Sequence, residues 1–216
     1  MDTKTRHPGR TALGIVLVLL LLAALSAPVL LRQTPEEEMK IRESVVRCAE
    51  AYLGRGEADE SHREIIDRYN TLDPLPRSYA VRYEDSWCAT FVSVVMMDAG
   101  LEEDVPLECG CQAMIDLYQA AGQWEESDWY WPRVGDVIFY AWDERLIGEC
   151  TGWADHVGIV AGVYGPVLKV IEGNKDDAVA YRYIWVGHPW IRGYGLPDYA
   201  AFTEPEESMG PVNNAG

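Results

Sequence analysis

A cysteine, a histidine and two residues able to orient a histidine occur along this chain in an order that suits nucleophilic catalysis. Cys88 lies in the run SWCATFVS, His156 in the run DHVGIV, and Glu172 and Asn174 in the run IEGN. A thiol attacks a carbonyl group readily once an imidazole has taken its proton, and a carboxylate or amide holds that imidazole in position. The four residues therefore predict a cysteine hydrolase, with Cys88 as the nucleophile and His156 as the general base.

The residues around Cys88 predict how its thiol becomes reactive. Apolar side chains recur at helical spacing over residues 91–99, and Gly100 follows as a residue suited to ending a helix. Cys88 is therefore expected at the start of a buried helix, where unpaired N–H groups and the positive end of the dipole favour the thiolate. Ser86 or Asp85 is expected to cap that helix. A buried structural cysteine is the alternative for Cys88 considered alone.

His156 and its two possible partners are predicted to share one β-hairpin. The runs that begin at His156 and at Val167 are rich in β-forming residues, and a turn sequence around Gly165 separates them. A turn centred on Gly165 pairs residues equally far from it, so His156 faces Asn174 and lies on the same face as Glu172. A register shift of one residue would instead turn His156 to the opposite face.

These motifs resemble the CHAP domain, a cysteine, histidine-dependent amidohydrolase/peptidase family with a papain-like fold that is common in cell-wall hydrolases. The likeness also includes the run RVGDVIFY over residues 133–140 and the closing run GYGLPDY from Gly193, and it extends from about Met39 to Tyr199. Val134 departs from the family pattern, which more often has proline before the Gly-Asp pair. The resemblance implies an α+β fold in which N-terminal helices pack on a small antiparallel sheet.

Carried over residue by residue, the resemblance implies a role for each of the four side chains. Cys88 is the nucleophile, His156 the base and then the acid, Glu172 the orienting group and Asn174 an additional polar member of the site. The implied reaction is hydrolysis of amide bonds in peptidoglycan, by an N-acetylmuramoyl-L-alanine amidase or an endopeptidase, with no cofactor and no metal. The alternatives are a catalytically silent wall-binding or assembly module of the same fold, and a cysteine protease that acts on surface proteins.

The N-terminal residues predict a membrane anchor. Basic residues precede an uncharged, Leu-rich run over 12–31, which is long enough to cross the bilayer as a helix with the rest of the chain exported. A cleaved signal peptide, with a small-x-small site at Ala24-Leu25-Ser26, is the alternative and would give a secreted protein. The predicted organisation is a cytoplasmic basic segment (1–11), a transmembrane signal anchor (12–32), a short linker (33–37), a CHAP-like domain (38–200) and a disordered tail (201–216).

The charge balance narrows the possible partners. The chain has 18 basic and 35 acidic residues, for a net charge of -17. Nucleic acid is therefore not expected to bind, and anionic wall polymers would be repelled at long range. Binding of peptidoglycan must then depend on the cleft and on tethering by the anchor.

The pairing state of the four cysteines other than the nucleophile must also be explained. Because their number is even, they are compatible with two disulfides in an oxidising compartment. Cys109 and Cys111 are too close in sequence to pair comfortably with each other, and free thiols are the alternative. A zinc site formed by Cys109, Cys111, Cys150 and His156 is disfavoured because the paired Cys-x-x-Cys spacing is missing. The four non-nucleophilic cysteines are Cys48, Cys109, Cys111 and Cys150.

Two further helices and an aromatic segment complete the prediction. An apolar stripe indicates a helix over 36–53 that ends at Gly54, and a second helix is expected over 111–121. A Trp-rich segment follows the second helix, and its side chains are expected to pack as core and loop plugs, with a glycan or peptide cleft as the alternative. The tryptophans concerned are Trp124, Trp129 and Trp131.

Overall fold

The computed structural model describes residues 35–127, 129–142 and 152–202, and in these ranges helices pack on one antiparallel sheet. The predicted α+β class is thereby confirmed. The helices are α1 (Glu36–Glu50), α2 (Arg63–Tyr69), α3 (Cys88–Asp98) and α4 (Cys111–Ala120). The strands are β1 (Trp124–Glu125), β2 (Val137–Tyr140), β3 (His156–Tyr164), β4 (Val167–Lys175), β5 (Ala178–Trp185) and β6 (Ile191–Gly195).

The sheet has the strand order β1-β6-β2-β3-β4-β5, and every neighbouring pair is antiparallel. Its two faces support two separate apolar clusters. The larger cluster includes α3 and the side chains of Val157, Ile159 and Ile171, whereas Val160 and Val170 belong to the smaller one. This division follows from the alternation of side chains along each strand.

Helix α3 is the centre of the larger cluster. Its residues from Cys88 to Met97 are all buried, which is the pattern of a helix covered on every side. Gly173 of β4 lets the helix approach closely, because a Cβ atom there would lie 2.4 Å from the Cβ of Phe91. The helix that begins with the predicted nucleophile is therefore fixed firmly against the strand that carries Glu172.

The β3–β4 hairpin has the predicted register at Ile159 and Val160, but for a different reason, and the recorded pairing does not extend to His156 and Asn174. Tyr164 pairs with Val167, so the turn contains two residues, and Gly165 alone is not its centre. A bulge between Val160 and Gly162 then shifts the register by one residue. Ile159 consequently pairs with Ile171, as the sequence predicts.

A buried ion-pair cluster attaches α1 to the sheet. The Arg42 side chain is 1% exposed, and it donates to Glu38 Oε1 at 2.7 Å and to Asp136 Oδ1 at 2.8 Å. Asp136 Oδ2 also accepts from the Tyr130 hydroxyl and from the backbone N–H of Arg133, both at 2.7 Å. Asp136, from the Gly-Asp part of the family motif, therefore acts in packing, away from the predicted catalytic residues.

Several predicted elements lie at other positions than expected, and some lie outside the described residues. Helix α1 ends at Glu50, and turns carry the chain to Gly54, whose φ is 82°. Trp124 is half-buried against Phe139, but Trp129 is 92% exposed and Trp131 54% exposed, so the packing prediction is wrong for the last two.

No helix within the described ranges is both long and apolar enough to span a bilayer. The predicted anchor, 12–32, lies outside those ranges. So do Cys150 and nearly all of the predicted tail.

Candidate active site

Cys88 is the first residue of α3, as predicted, and its side chain is buried. The expected capping residues are wrong. Trp87 occupies the N-cap position and makes no side-chain capping bond, whereas Asp85 bonds Tyr79 and Arg82 instead. With no side chain capping the helix, its first N–H groups are available to a negative charge at Cys88.

His156 and Glu172 form a direct hydrogen bond within the sheet. The imidazole Nε2–H donates to Glu172 Oε2 at 3.0 Å, and both side chains are buried. The Glu172 carboxylate thereby fixes the orientation of the ring and leaves Nδ1 as the nitrogen for proton exchange. Of the two predicted orienting residues, the structure brings Glu172 to the imidazole.

Gly158 makes this contact sterically possible. A Cβ atom at Gly158 would lie 2.7 Å from the Cγ of Glu172 and 2.9 Å from the carbonyl oxygen of Ile171. Glycine on β3 therefore leaves the space through which the Glu172 side chain reaches His156. The Gly158 in the DHVGIV run thus has a packing role within the site.

Asn174 lies in an irregular part of β4. Its φ is 53°, and the register between β4 and β5 shifts between Glu172 and Lys175. Among the hydrogen bonds of the described residues, none joins the Asn174 side chain to His156. The predicted role of Asn174 as an additional polar member of the site stays a prediction.

Arg182 is a member of the site that the sequence motifs did not indicate. Its Nε donates to Glu172 Oε1 at 2.7 Å and to Oε2 at 3.0 Å. The guanidinium carbon lies 5.2 Å from the ring centroid of Trp142 and 5.6 Å from that of Tyr140. Arg182 is on β5, where it pairs with Val170, so only the strand pairing reveals its proximity to Glu172.

Two aromatic rings enclose the imidazole. The ring centroid of Tyr140 lies 5.9 Å from that of His156 in a stacked arrangement, and the centroid of Trp142 lies 5.6 Å away. These rings exclude water from one side of the imidazole. Charge interactions within the site are correspondingly stronger than in water.

The electrostatic environment favours a thiolate and an imidazolium in the resting site. A hydrogen bond from Cys111 lowers the pKa of Cys88 well below that of an ordinary thiol; burial opposes this, and His156 and the Ala89 N–H add to it. Burial alone would lower the pKa of His156, but Cys88 and Glu172 outweigh it and raise that pKa to about 9. The two shifts together favour a thiolate on Cys88 and an imidazolium on His156 near neutral pH.

Glu172 stays ionised although it is buried. Burial by itself would raise the pKa of its carboxyl group, but hydrogen bonds from His156 and Arg182, with their positive charges, lower that pKa below the usual range. A negative charge is thus present beside the imidazole near neutral pH. This is the arrangement that stabilises a protonated histidine.

Cys111 is the second unanticipated residue, and its Sγ lies 3.5 Å from Cys88 Sγ. It is the first residue of α4, so two helix starts meet at the two sulfur atoms. The hydrogen bond to the Cys88 thiolate, with burial, raises the pKa of Cys111 well above its usual value. Cys111 is therefore the protonated partner that donates to Cys88.

An open cleft of about 420 Å³ gives access to the nucleophile. Trp153, which is 75% exposed, stands on its rim, and Asp155 also lines it. Asp155 accepts a hydrogen bond from the backbone N–H of Trp142 at 2.7 Å, whereas the carboxylate that contacts the imidazole is that of Glu172. Other residues that line the cleft are Arg77, Ser86, Cys109, Gly110 and Gln112.

The described cysteines Cys48, Cys88, Cys109 and Cys111 are all unbridged. Of the two alternatives, disulfides and free thiols, the structure therefore shows free thiols for these four residues. In the part of the chain that the structure describes, no group of three or more His, Cys, Asp or Glu side chains is arranged to hold a metal ion.

Comparisons with known proteins give one matching family model and several similar solved structures. The CHAP domain family model matches residues 78–174, which include Cys88, His156 and Glu172. The search of curated proteins found no significant match.

Solved structures with a similar arrangement include an NlpC/P60 family protein from Bacillus cereus ATCC 10987, with 14% identity and a TM-score of 0.41. The alignment covers 72% of this chain and 40% of that one. Ly7917, in a structure with the hydrolyzing product of MDP, has 15% identity and a TM-score of 0.42, over 73% of this chain and 62% of Ly7917. The family model is the comparison that includes the predicted nucleophile and base, and residues 78–174 of this chain match the CHAP domain family model.

Proposed function

We propose that the chain is a membrane-anchored, extracytoplasmic cysteine hydrolase that cleaves amide bonds of peptidoglycan. The observation that carries the proposal is the buried set of Cys88, His156 and Glu172 in a CHAP domain, with the imidazole held by the carboxylate at 3.0 Å. Amidohydrolase or peptidase chemistry is what such a set supports, and the resemblance to cell-wall hydrolases supports peptidoglycan as the substrate.

The reaction begins at the sulfur of Cys88. The thiolate attacks the amide carbonyl carbon, and the carbonyl oxygen becomes an oxyanion near the start of α3, where the Cys88 backbone N–H is a natural donor. His156 then gives its Nδ1 proton to the departing nitrogen, which leaves as an amine. The acyl group remains on Cys88 as a thioester.

The second half of the reaction regenerates the ion pair. Neutral His156 accepts a proton from a water molecule as the oxygen of that water attacks the thioester carbonyl. The carbon–sulfur bond breaks, the acyl fragment leaves as a carboxylic acid, and Cys88 returns to the thiolate. Glu172 remains ionised throughout and keeps the imidazole in position, as the carboxylate of a catalytic triad does.

Export and anchoring are supported by the sequence alone. Basic residues before an apolar run of membrane-spanning length favour a cytoplasmic N-terminus and an external domain. The net charge of -17 disfavours long-range attraction to anionic wall polymers. A tether that keeps the domain at the membrane surface compensates by raising the local concentration of substrate.

The test is product analysis with purified peptidoglycan. The full chain, in a mild detergent and with its thiols reduced, is incubated with the wall beside a Cys88→Ser variant and a Cys48→Ser control. Cys48 lies on α1, outside the residues that line the cleft, so its substitution tests for general thiol effects. Released fragments are identified by mass spectrometry.

Each product pattern has a distinct meaning. Lactyl-bearing glycans with free L-alanine termini indicate an amidase, whereas new amino groups inside the stem peptide or crossbridge indicate an endopeptidase. Fragments are expected from the native chain and from Cys48→Ser, and none from Cys88→Ser. If the folded, reduced native chain releases no fragment, the proposal fails in favour of a wall-binding module or of a protease, which a cleaved surface protein would reveal.

A further inference from the structure

The pairing of two thiols at the nucleophile has a chemical consequence beyond hydrolysis. Cys88 and Cys111 each begin a helix of ten residues or more, and their sulfur atoms are 3.5 Å apart in the reduced site. Disulfide formation requires sulfur atoms at about 2.05 Å, so the two must approach by about 1.5 Å. Side-chain rotation supplies movements of that size, and the helices need only small adjustments.

A third thiol in the same cleft shows that the pairing is specific. Cys109 also lines the cleft, but its Sγ accepts a hydrogen bond from Arg77 at 3.4 Å. Among the described residues, the only contact recorded between two cysteine sulfurs is that between Cys88 and Cys111. Cys109 is therefore an internal control, because its thiol lines the same cleft as the nucleophile but is not paired with it.

We propose that Cys88 and Cys111 form a redox-modification site that reacts with a peroxide or a low-molecular-weight disulfide and closes to an intramolecular disulfide. The closed form has no nucleophile, and a thiol reductant restores it. The effect on hydrolysis rests on the proposed function, but the formation of the disulfide does not.

The reaction balances with hydrogen peroxide as the oxidant. The Cys88 thiolate attacks one peroxide oxygen, the O–O bond breaks, and Cys88 becomes a sulfenic acid as hydroxide leaves. The Cys111 sulfur then attacks the Cys88 sulfur, the S–O bond breaks, and a second hydroxide leaves. The proton on the His156 imidazolium and the proton of the Cys111 thiol convert the two hydroxides to water, so the two cysteines lose two electrons and the peroxide gains them.

A low-molecular-weight disulfide gives the same product by exchange. The Cys88 thiolate attacks one of its sulfurs and releases one small thiol, leaving a mixed disulfide on Cys88. Cys111 attacks the Cys88 sulfur in turn and releases the second small thiol. The two electrons pass from the protein dithiol to the oxidant, which is recovered as two thiols.

The charges in the site set the order of these two steps. Cys88 is the thiolate in the reduced site, so it reacts first with an oxidant that enters the cleft. Its negative charge is what keeps the proton on Cys111. Once Cys88 is oxidised that charge is gone, and the start of α4 then favours ionisation of Cys111, which becomes the resolving thiol.

Mass spectrometry after controlled oxidation tests the site. The reduced full chain is treated with peroxide or oxidised glutathione, free thiols are alkylated, and the protein is cleaved after glutamate without reduction. Cleavage at Glu84, Glu102, Glu108 and Glu125 separates the peptide that contains Cys88 from the one that contains Cys109 and Cys111. Cys109→Ser and Cys111→Ser variants, both checked for folding by circular dichroism, identify the partner.

We expect the two peptides to be disulfide-linked in the native chain and in Cys109→Ser, and unlinked in Cys111→Ser. After peroxide treatment, the fraction of the initial hydrolysis rate that dithiothreitol restores should be about tenfold larger in the native chain than in Cys111→Ser. In that variant Cys88 proceeds to sulfinic acid. A link from Cys88 to Cys109 or Cys150, or a stable mixed disulfide on native Cys88 without a link, would overturn the proposal. If the reduced chain hydrolyses no wall, the link is still measurable, so the two proposals fail separately.

Discussion

Two buried clusters on the same sheet each pair an arginine with a carboxylate, yet they serve different purposes. The α1 cluster joins Arg42 to Asp136 at 2.8 Å, and the hairpin cluster joins Arg182 to Glu172 at 2.7 Å. In the α1 cluster, both the arginine and the aspartate have further protein partners. In the hairpin cluster, Glu172 also accepts from His156, which interacts electrostatically with Cys88, a residue that lines an open cleft.

The difference shows that a buried ion pair is not by itself a sign of catalysis. The Arg42–Asp136 pair holds a helix to the sheet and has no neighbour that reacts. The Arg182–Glu172 pair holds a histidine whose proton is the one exchanged in the proposed reaction. The α1 cluster also contains a third titratable residue, Glu38, and also lines a cleft, so what distinguishes the hairpin cluster is a histidine that interacts with a cysteine thiol.

Among substitutions in the two clusters, the largest effect on activity is expected from Glu172→Gln. The neutral amide keeps the shape of the carboxylate but no longer stabilises the imidazolium, so kcat/KM for release of wall fragments should fall roughly 10³-fold. Folding, followed by circular dichroism, should be retained. An activity within a few-fold of the native chain would show that Glu172 is not the orienting group.

The matched change in the other cluster, Asp136→Asn, should act on stability instead. It leaves the positive charge of Arg42 buried with reduced compensation, so the free energy of unfolding in urea should fall by about 3 kcal/mol. The activity per folded molecule should remain that of the native chain. Equal losses of activity in Asp136→Asn and Glu172→Gln would remove the proposed distinction between the clusters.

A smaller loss of activity is expected from Arg182→Gln than from Glu172→Gln, because Arg182 acts through Glu172. Without the guanidinium the pKa of Glu172 rises, so the acid limb of the pH–rate profile should move to higher pH. At neutral pH we expect a loss of activity of about tenfold, as for other residues that support a catalytic group. Arg182→Lys, which keeps the charge, should restore part of the rate; no difference between the two variants would contradict an electrostatic role.

The smallest expected effect is a shift in the pH dependence of hydrolysis between the native chain and Glu172→Gln. His156 must carry a proton for the amine to leave, and its pKa is raised to about 9, so activity should decline as the pH rises through about 9. Glu172→Gln removes one cause of that rise, and the residual alkaline limb should therefore lie at lower pH. An alkaline limb that is unchanged in Glu172→Gln would show that another group controls it.

The sequence was sufficient to find those parts of the site whose signals are local. The apolar spacing after Cys88 located the start of α3, and the run rich in β-forming residues that begins at His156 located β3. The pairing near Ile159 was predicted correctly although the turn was misplaced, because the bulge between Val160 and Gly162 compensates for the two-residue turn. Bulges of this kind carry little sequence signal.

The parts that the sequence did not reveal depend on how separate elements pair and pack. Arg182 on β5 reaches Glu172 on the neighbouring strand β4, and Cys111 reaches Cys88 because two helices begin at the same place. Neither residue belongs to a local pattern that distinguishes it from an ordinary arginine or cysteine. The capping prediction failed for a related reason, since Asp85 is engaged by Tyr79 and Arg82 instead of by the helix.

The most direct test of the central claim is the ionisation of Cys88, which needs no substrate. The ultraviolet absorbance of the thiolate is recorded against pH for the reduced full chain and for Cys88→Ser, and the difference is assigned to Cys88. An ion pair with His156 predicts a thiolate signal that persists well below the ordinary thiol pKa of about 8.5. A signal that develops only at or above that value would contradict the ion pair, and with it the proposed role of Cys88 as an activated nucleophile.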